Sequence, residues 1–564
     1  MKHIYVGVAW PYVNDVFHLG NVAGAYLPPD IFARFHRLKG NRVLMVSGSD
    51  FHGTPITLRA EKEGKDPEAV ASSFHELDKQ YLKRFFIEYD LYTSTHTPNH
   101  RKVVQEMFLK LLGNGFITIL KTEQLYSEHS KKFLQDRYIE GECPHCHAKD
   151  ARGDQCESCG RQLDPLELIN PVSKVDKSAL VKKETENYFL DLGKLQGPVK
   201  KWLVSRKNLR QWVQREALGW VKEGLKPRAI TRDMDYGVPL PIAKIPAKLR
   251  IHNIQHKVFY VWFEAVIGYL SAAIEYSKKK GDLRYWKSFF YDKKAETFYF
   301  VGQDNLVFHT INWPAQLIAY DTNINLPTNV FVNKFLLLEG KKMSKSRNWF
   351  IETPYLLENY SVDALRFYLA LNNPEQKALN FTWQDFVETN NNILVATIGN
   401  FIHRVLTLSV KNFGASFSLS DVSQPVKARI KKAFSTTSLH MERGEFRLAT
   451  SEVVSLASFG NRYVDKHQLW HLVKNDKKKA KKAAIDCLAI IQALSVLLHP
   501  FTPQASDTLR SVLGSPKTKT KKGKDQWNYE SLSSRVRLAK NITPLFSKID
   551  ESVIAKEKAK LSLR

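Results

Sequence analysis

Four cysteines in one short segment could bind a metal ion. They form two pairs in which two other residues separate the cysteines, Cys143 with Cys146 and Cys156 with Cys159. Two such pairs of thiolates can close a tetrahedral site around Zn²⁺, and Gly141, Gly153 and Gly160 suit the tight turns that this requires. Disulfides are the alternative, which a reducing cytosol disfavours. We predict one structural Zn²⁺ per chain, with His145 and His147 outside the site because four thiolates complete it.

A second group of residues could bind a phosphate group. The sequence His18-Leu19-Gly20-Asn21 follows a strand pattern and begins a helix pattern. A helix N-terminus presents free N–H groups and a partial positive charge, which suits an anion. Gly20 would let an adenine or ribose approach the backbone closely, and His18 could donate to a phosphate oxygen. Alone this pattern is weak evidence, because a His-x-Gly triplet at a turn is more often purely structural.

A short loop with two lysines and two serines could bind a triphosphate. Its sequence is Lys342-Met343-Ser344-Lys345-Ser346, and it follows the strand-like residues 335–338. The lysines could neutralise charge that builds up on a leaving pyrophosphate. A solvated basic loop is the alternative interpretation, but the order of the residues favours binding.

Length and charge restrict the class of protein. A chain of 564 residues is too long for one core, so three or four domains are expected. The formal net charge of +27 indicates a polyanionic partner, with a solvated basic surface as the alternative. Two lysine-rich stretches, residues 474–482 and 517–524, should be exposed. We find no apolar run long enough to span a bilayer and no signal peptide, and therefore expect a cytoplasmic protein without a membrane partner.

The elements that position these motifs follow from hydrophobic patterning. Strand patterns at residues 4–9 and 42–46 flank a helical stretch, residues 20–38, which Pro28-Pro29 should interrupt. This β-α-β order predicts a parallel nucleotide-binding sheet, and strand patterns return at residues 298–301 and 330–338. After about residue 386, long helices are predicted at residues 392–410, 426–459 and 480–498.

The two phosphate-binding motifs resemble the two signatures of class I aminoacyl-tRNA synthetases, in the same order and on either side of an insertion. Longer passages are similar to methionyl-tRNA synthetases in particular: residues 9–14, 50–56, 257–265, 267–269 and 300–305. The similarity extends from about residue 3 to about residue 505.

This resemblance implies a fold class and a division of the chain. The fold is α/β, with a Rossmann-like parallel-sheet catalytic domain interrupted by a zinc-knuckle connective insertion and followed by an α-helical anticodon-binding bundle. The expected divisions are residues 1–115 and 229–325 for the two halves of the catalytic domain, 116–228 for the insertion, 326–385 for a linking segment with the lysine loop, 386–535 for the bundle and 536–564 for a tail.

The resemblance also implies the reaction and its residues. Members of the family use ATP with Mg²⁺ to activate methionine as its adenylate, and transfer it to the 3′-terminal adenosine of methionine tRNA. The implied catalytic residues are His18, Asn21, Lys342 and Lys345. The implied ATP-binding residues are His18, Gly20, Asn21, Gly302, Asp304, Lys342, Ser344 and Lys345. Methionine would contact Ala9, Trp10, Tyr12, Asp50, Trp262, Ala265, Tyr269 and His309. The anticodon would contact Asn400, Arg404 and Trp470.

Other functions remain open at this point. Asn21 stands where the family usually has histidine, Gln303 where many members have lysine, and Glu264 where aspartate is usual. A non-catalytic tRNA-binding relative is therefore the main alternative, and a zinc-containing RNA-binding module is another. A closed four-thiolate site argues against cysteinyl-tRNA synthetase, and the insertion is too short for the editing domain of the isoleucine, valine and leucine enzymes. Because the sequence ends without the extension that dimerises some relatives, we expect a monomer.

Overall fold

A computed structural model describes most of the chain. The described residues are 1–135, 138–153, 156, 158–159, 161, 163–345, 348–516 and 524–562. Ser346 of the lysine loop, Gly160 of the cysteine segment and residues 517–523 of the second lysine-rich stretch lie outside these ranges.

The centre of the molecule is a five-stranded parallel sheet. Its strands lie in the order Asn329–Asn333, Glu296–Gly302, His3–Val8, Arg42–Ser49 and Leu91–Ser94. Alternate residues of each strand enter one of two apolar cores, so both faces are covered, as parallel sheets require. The chain leaves the central strand, His3–Val8, towards one edge and returns on its other side. Ligands bind at such a switch point, outside the carboxyl ends of the strands.

The first helix carries the phosphate-binding motif at its start. It runs through Leu19–Asn21, a π-helical segment Val22–Tyr26 and Leu27–Leu38 without a break. The predicted interruption at Pro28-Pro29 is therefore wrong. Both prolines lie in the first turn of the α-helical part, where the preceding wide turn tolerates residues that lack an N–H. The other helices around the sheet are Thr54–Glu63, Pro67–Arg84, Pro98–Gly113, Val261–Lys279, Lys287–Phe290 and Trp313–Tyr320.

The insertion is built on a long antiparallel pair of strands, Ile117–Ser127 and Leu180–Leu190. The cysteine segment lies between these strands, beside a three-stranded sheet made of Ile139–Glu142, Ala151–Arg152 and Ile169–Ser173. Helices Leu192–Ser205 and Gln211–Glu223 then lead back to the parallel sheet. Shorter strands are Lys132–Phe133, Arg228–Ala229, Thr231–Asp233 and Lys257–Phe259. Within the described residues the short 3₁₀ helices are Pro165–Glu167, Ile242–Lys244, Ala247–Leu249, Ile254–His256, Gln303–Asn305 and Tyr529–Ser531, and Phe308–Asn312 is π-helical.

A helical bundle forms the remainder of the chain. The linking segment before it contains strands Leu336–Leu338, Lys341–Lys342 and Leu379–Phe381 and helices Thr353–Asn359 and Val362–Leu371. The bundle contains Trp383–Glu388, the π-helical Thr389–Gly399, Asn400–Phe413, Gln424–Glu442, Phe446–His467, Leu469–Asn475, Lys477–Leu497, Pro503–Val512 and Ser552–Ser562, with a strand pair Ser416–Ser418 and Arg535–Arg537. The predicted fold class is confirmed.

One predicted bundle helix is two helices. Residues 426–459 were expected to form a single helix, but Gln424–Glu442 and Phe446–His467 are separated by a turn at Gly444. Gly444 has φ +66°, and a Cβ atom there would lie 2.5 Å from the ring of Phe331. Only glycine fits this combination of backbone conformation and close approach, so the turn is fixed against the parallel sheet.

The expectation that no segment could span a bilayer also needs correction. By length and composition, the continuous helical run 383–413 is apolar enough to do so. Its apolar residues pack in the core that the bundle shares with the sheet, among them Phe386, Leu394, Ile398 and Phe401. A core helix passes the same test as a spanning helix, so this run is weak evidence for a membrane segment.

Candidate active site

A cleft of about 450 Å³ opens at the carboxyl ends of the central strands. Nearly all residues that the sequence predicted for ATP and methionine line it: Ala9, Trp10, Tyr12, His18, Gly20, Asn21, Asp50, Trp262, Ala265, Tyr269, Gly302, Asp304, His309, Lys342 and Lys345. Among the described residues, Ser344 is the predicted member that does not line the cleft. Its backbone pairs with Trp349 within the lysine loop.

His18 caps the helix at the edge of this cleft. Its Nδ1 accepts a hydrogen bond from the Gly20 N–H at 3.1 Å, and the Asn21 side-chain oxygen accepts one from the His18 N–H at 3.1 Å. Burial, and the nearby Lys345 ammonium, lower the pKa of His18 to about 4. The imidazole is therefore neutral near pH 7, and because Nδ1 accepts, the proton is on Nε2. His18 Nε2 and the Asn21 amide nitrogen remain as donors.

Lys345 is the loop lysine that reaches this helix. Its ammonium lies 3.3 Å from Asp15 Oδ2 and donates to the carbonyl oxygen of Val16. Burial lowers the pKa of Lys345, while Asp15 opposes that effect. Lys342 is exposed, and its ammonium lies 4.3 Å from the centre of the Phe335 ring. Of the two loop lysines, Lys342 therefore lies at the edge of the cleft and Lys345 is held beside His18.

Aromatic rings form the other end of the cleft. Trp262 stacks on Phe308 with 4.1 Å between ring centres and 9° between planes. Tyr12 meets Trp262 edge-on at 6.0 Å. Phe308 was not predicted from the sequence, although it directly precedes His309, because an apolar residue before a predicted site residue carries no distinctive pattern.

Two polar side chains of this aromatic pocket, Tyr269 and His309, are paired with each other. Tyr269 Oη lies 2.6 Å from His309 Nε2, and His309 Nδ1 lies 2.8 Å from the Asn305 carbonyl oxygen. A carbonyl can only accept, so His309 donates from Nδ1. Burial lowers the pKa of His309 to about 4, so the ring is neutral and Nε2 accepts from the Tyr269 hydroxyl.

Two buried carboxylates lie beneath the pocket. Asp50 Oδ1 accepts from the His52 N–H at 3.2 Å, and Glu264 accepts from His52 Nδ1 at 2.7 Å and from His100 Nε2 at 2.5 Å. Burial would raise the pKa of Glu264, but the two imidazoles hold it at about 2. Burial, with the neighbouring Glu264, raises the pKa of Asp50 well above its usual value. The raised pKa favours the protonated carboxyl of Asp50, and a cation in the cleft would stabilise its ionised form.

The four cysteines form one cluster. Their sulfur atoms all lie within 4.8 Å of one another, with 3.9 Å between Cys143 and Cys159 and 3.6 Å between Cys146 and Cys156. These separations are too long for disulfide bonds. They match the edges, about 3.8 Å, of a tetrahedron with metal–sulfur distances of about 2.3 Å. His147 instead pairs with Glu142 at 2.8 Å.

The three predicted anticodon residues lie on one exposed surface of the bundle. Asn400 and Arg404 are exposed, one turn apart on helix Asn400–Phe413. Trp470 is 39% exposed on the short helix Leu469–Asn475, and the Arg404 guanidinium lies 5.2 Å from the centre of its ring.

Comparisons with known proteins cover the whole chain. Residues 4–406 match the family model described as tRNA synthetases class I (M), and residues 415–562 match the anticodon binding domain of methionyl tRNA ligase. The chain belongs to the methionyl-tRNA synthetase family. The methionine–tRNA ligase of Roseiflexus castenholzii is 41% identical over 99% of this chain and 98% of its own. That of Dehalococcoides mccartyi is 41% identical over 100% of both chains.

Solved members of the methionyl-tRNA synthetase family share the fold. Mycobacterium tuberculosis methionyl-tRNA synthetase bound by methionyl-adenylate superimposes with a TM-score of 0.76 and 20% identity, over 97% of this chain and 100% of that one. The resemblance noted in the sequence is thus confirmed. Phe308 and Asp15 also line the cleft and were not predicted from the sequence, because their contacts with Trp262 and Lys345 form only in the folded chain.

Proposed function

We propose that the chain is a methionine–tRNA ligase. It would join methionine to ATP as methionyl-adenylate and transfer methionine to the 3′-terminal adenosine of methionine tRNA. The observation that carries this proposal is the single cleft in which a phosphate-type helix N-terminus and Lys345 face an aromatic pocket with a buried carboxylate, Asp50.

The nucleotide would occupy the side of the cleft nearest His18. His18 would donate from Nε2 to a phosphate oxygen, and Gly20 would keep the backbone open for the ribose or adenine. Gly302 and Asp304 would contact the nucleotide from the carboxyl end of the neighbouring strand, Glu296–Gly302. Lys345 leaves Asp15 to meet the charge that develops on pyrophosphate, and Lys342 follows from the loop edge. Asn21 both fixes the turn and supplies an amide donor. ATP would bring Mg²⁺ as part of the substrate.

Methionine would occupy the aromatic side. Trp262, Tyr12 and Tyr269 would surround the thioether, which aromatic rings attract through its polarizable sulfur. Asp50 would hold the ammonium, and the approach of that cation favours the ionised carboxyl despite its burial. The rest of the proposed pocket consists of Ala9, Trp10, Ala265 and His309.

The bundle surface would read the tRNA anticodon. Trp470 offers a half-exposed indole on which an unstacked base can lie, and Asn400 and Arg404 supply hydrogen-bond donors beside it. The net charge of +27 supports a polyanionic partner. Arg404 covers one face of Trp470, so we expect it to move or to sandwich the base.

The cysteine cluster would hold one structural Zn²⁺. The donor set is four sulfur atoms at tetrahedral spacing, which is the ligand type and geometry of structural Zn²⁺ sites. Four protein donors leave no position for a substrate, so the metal would stabilise the insertion.

Methionine-dependent exchange of pyrophosphate into ATP tests the proposal, with isoleucine, leucine, valine and cysteine as controls. We expect exchange with methionine and with none of the four control amino acids, and we expect the protein to charge methionine tRNA in a separate assay. Binding of tRNA without exchange would instead identify the non-catalytic relative. The monomeric state and the cytoplasmic location stay predictions from the sequence.

A further inference from the structure

A buried arginine joins three parts of the molecule. Arg210 immediately precedes helix Gln211–Glu223 of the insertion. One of its terminal nitrogens donates to the Val332 carbonyl oxygen at 2.5 Å and to Asn333 Oδ1 at 2.9 Å. The other terminal nitrogen donates to the Gly444 carbonyl oxygen at 2.9 Å. The guanidinium therefore binds the end of a sheet strand and the turn between two long helices of the bundle.

The connection continues into the cleft. Asn333 Nδ2 donates to the Gly24 carbonyl oxygen at 2.9 Å, and both residues line the cleft. Gly24 belongs to the π-helical segment Val22–Tyr26, which directly follows the turn of helix that His18 caps. A second amide, Asn373, donates to the Ala23 carbonyl oxygen at 3.3 Å in the same segment. An unbroken series of hydrogen bonds thus runs from Gly444 through Arg210 and Asn333 to the helix that would bind ATP.

The bundle end of this series is firmly held. Gly444 has a positive φ and lies against the Phe331 ring, so the turn packs directly on the sheet. Glu375 is buried beside the same turn and accepts from the Arg447 N–H at 3.1 Å. Burial raises the pKa of Glu375 to about 7, and Arg210 opposes this rise. A shift of the two bundle helices at this turn would move the Gly444 carbonyl and so change the bond that Arg210 makes to it.

We propose that Arg210 is a positioning residue that couples the occupied anticodon surface to the ATP side of the cleft. This inference rests on the proposed function. Helix Phe446–His467, which starts at this turn, donates from Asn461 to the Thr397 carbonyl oxygen at 2.8 Å, one turn before Asn400. Binding at Asn400, Arg404 and Trp470 would bias the position of that helix, and Arg210 would pass the bias to Asn333 and Gly24. Coupling between sites requires such a physical connection with two arrangements.

The test compares the effect of the anticodon on kcat and on KM. Charging of methionine tRNA is measured with its own anticodon and with one altered base, for the wild type, Arg210→Met and Arg210→Lys. In Arg210→Met we expect the loss of kcat caused by the altered base to shrink by at least about five-fold, while the increase in KM persists. Arg210→Lys can keep one of the hydrogen bonds, so its loss of kcat on the altered tRNA should lie between those of the wild type and Arg210→Met. Pyrophosphate exchange without tRNA should change by less than about two-fold.

A matched control, Asn329, lies on the same strand as Asn333. Asn329 is also buried and donates from its side chain to the Asn208 carbonyl oxygen at 3.0 Å, but it does not line the cleft. Asn329→Ala should retain the full anticodon effect on kcat. Thermal unfolding of each variant identifies loss of folding, and if Arg210→Met does not fold, Arg210→Lys decides the question.

Two outcomes would overturn the inference. One is a folded Arg210 variant in which the altered base still lowers kcat as in the wild type. The other is an equal loss of exchange and charging, which a purely structural role predicts. If the wild type shows no methionine-dependent exchange, the proposed function fails first, before the coupling can be examined.

Discussion

The ammonium of Lys345 lies 3.3 Å from a carboxylate oxygen of Asp15, which is three residues before His18 in the sequence. The same ammonium donates to the Val16 carbonyl oxygen. Both acceptors precede the helix that would bind phosphate, so Lys345 is held at the place where a triphosphate would need it. Release from Asp15 would then accompany ATP binding.

Lys345→Ala should lower the rate of adenylate formation about 10²–10³-fold, because contacts to developing charge typically contribute about 3–4 kcal/mol. The KM for methionine should change much less, since Lys345 lies on the nucleotide side of the cleft. Single-turnover formation of adenylate measures the rate. The matched control is Lys341→Ala. Lys341 is exposed, lies next to the loop, and has its ammonium over the Trp349 ring. A Lys345→Ala rate within a few-fold of the wild type would exclude the assigned role.

Methionine binding should weaken as the pH falls. Burial and Glu264 raise the pKa of Asp50 above its usual value, so the carboxyl takes up a proton at a higher pH than an exposed aspartate would. Above that pKa the carboxylate attracts the ammonium, and below it the attraction is lost. The KM for methionine in the exchange assay should therefore rise as the pH is lowered, and the rise should begin at a higher pH than the usual pKa of an aspartate would allow. Asp50→Asn should have a high KM that is independent of pH, and a flat wild-type profile would contradict the assignment.

The purified protein should contain about one equivalent of zinc. Cys156→Ser should lose the metal and loosen the insertion, whereas the parallel sheet should persist because the cysteine segment has its own small core. Elemental analysis and limited proteolysis follow the two effects. Cys487→Ser is the control, since this buried thiol lies in the bundle, away from the cluster. Full zinc in Cys156→Ser, or none in the wild type, would rule out the site.

Trp470→Ala should lower the efficiency of tRNA charging by about ten-fold or more, since stacking on a base is worth about 1–3 kcal/mol. Exchange without tRNA should hardly change, because the cleft lies in a different domain. Trp220→Ala is a control of equal exposure, 38% against 39%, on the insertion. If Trp470→Ala keeps the preference for the cognate anticodon, Trp470 is a packing residue.

Local patterns explain how much of the site the sequence could predict. The cysteine pairs, His18 to Asn21 and the lysine loop are short segments whose chemistry is written in adjacent residues. The cleft at the carboxyl ends of the parallel strands brings His18 to Asn21 and the lysine loop together, whereas the cysteine cluster lies apart in the insertion. The fold class followed from the order of strand and helix patterns in the same way.

Long-range contacts explain what the sequence could not predict. Asp15 and Lys345 are 330 positions apart by number, and Arg210 meets Asn333 and Gly444 only in the folded chain. The division of a predicted helix at Gly444 depends on the Phe331 ring, which belongs to another domain. Single glycines also occur inside helices, as Gly460 does here, so periodicity alone could not identify the turn.

The bond between Tyr269 and His309 limits how the pocket can select its amino acid. Both of their donors are engaged, the Tyr269 hydroxyl by His309 and His309 Nδ1–H by the Asn305 carbonyl, so neither side chain donates a hydrogen bond to a thioether. These two side chains therefore select a ligand by its length, width and polarizability, and neither of them tests for a sulfur atom as a hydrogen-bond acceptor. An amino acid with an unbranched hydrocarbon side chain of equal length should then bind more weakly than methionine by no more than about 1–3 kcal/mol. A β-branched side chain should be excluded by its shape.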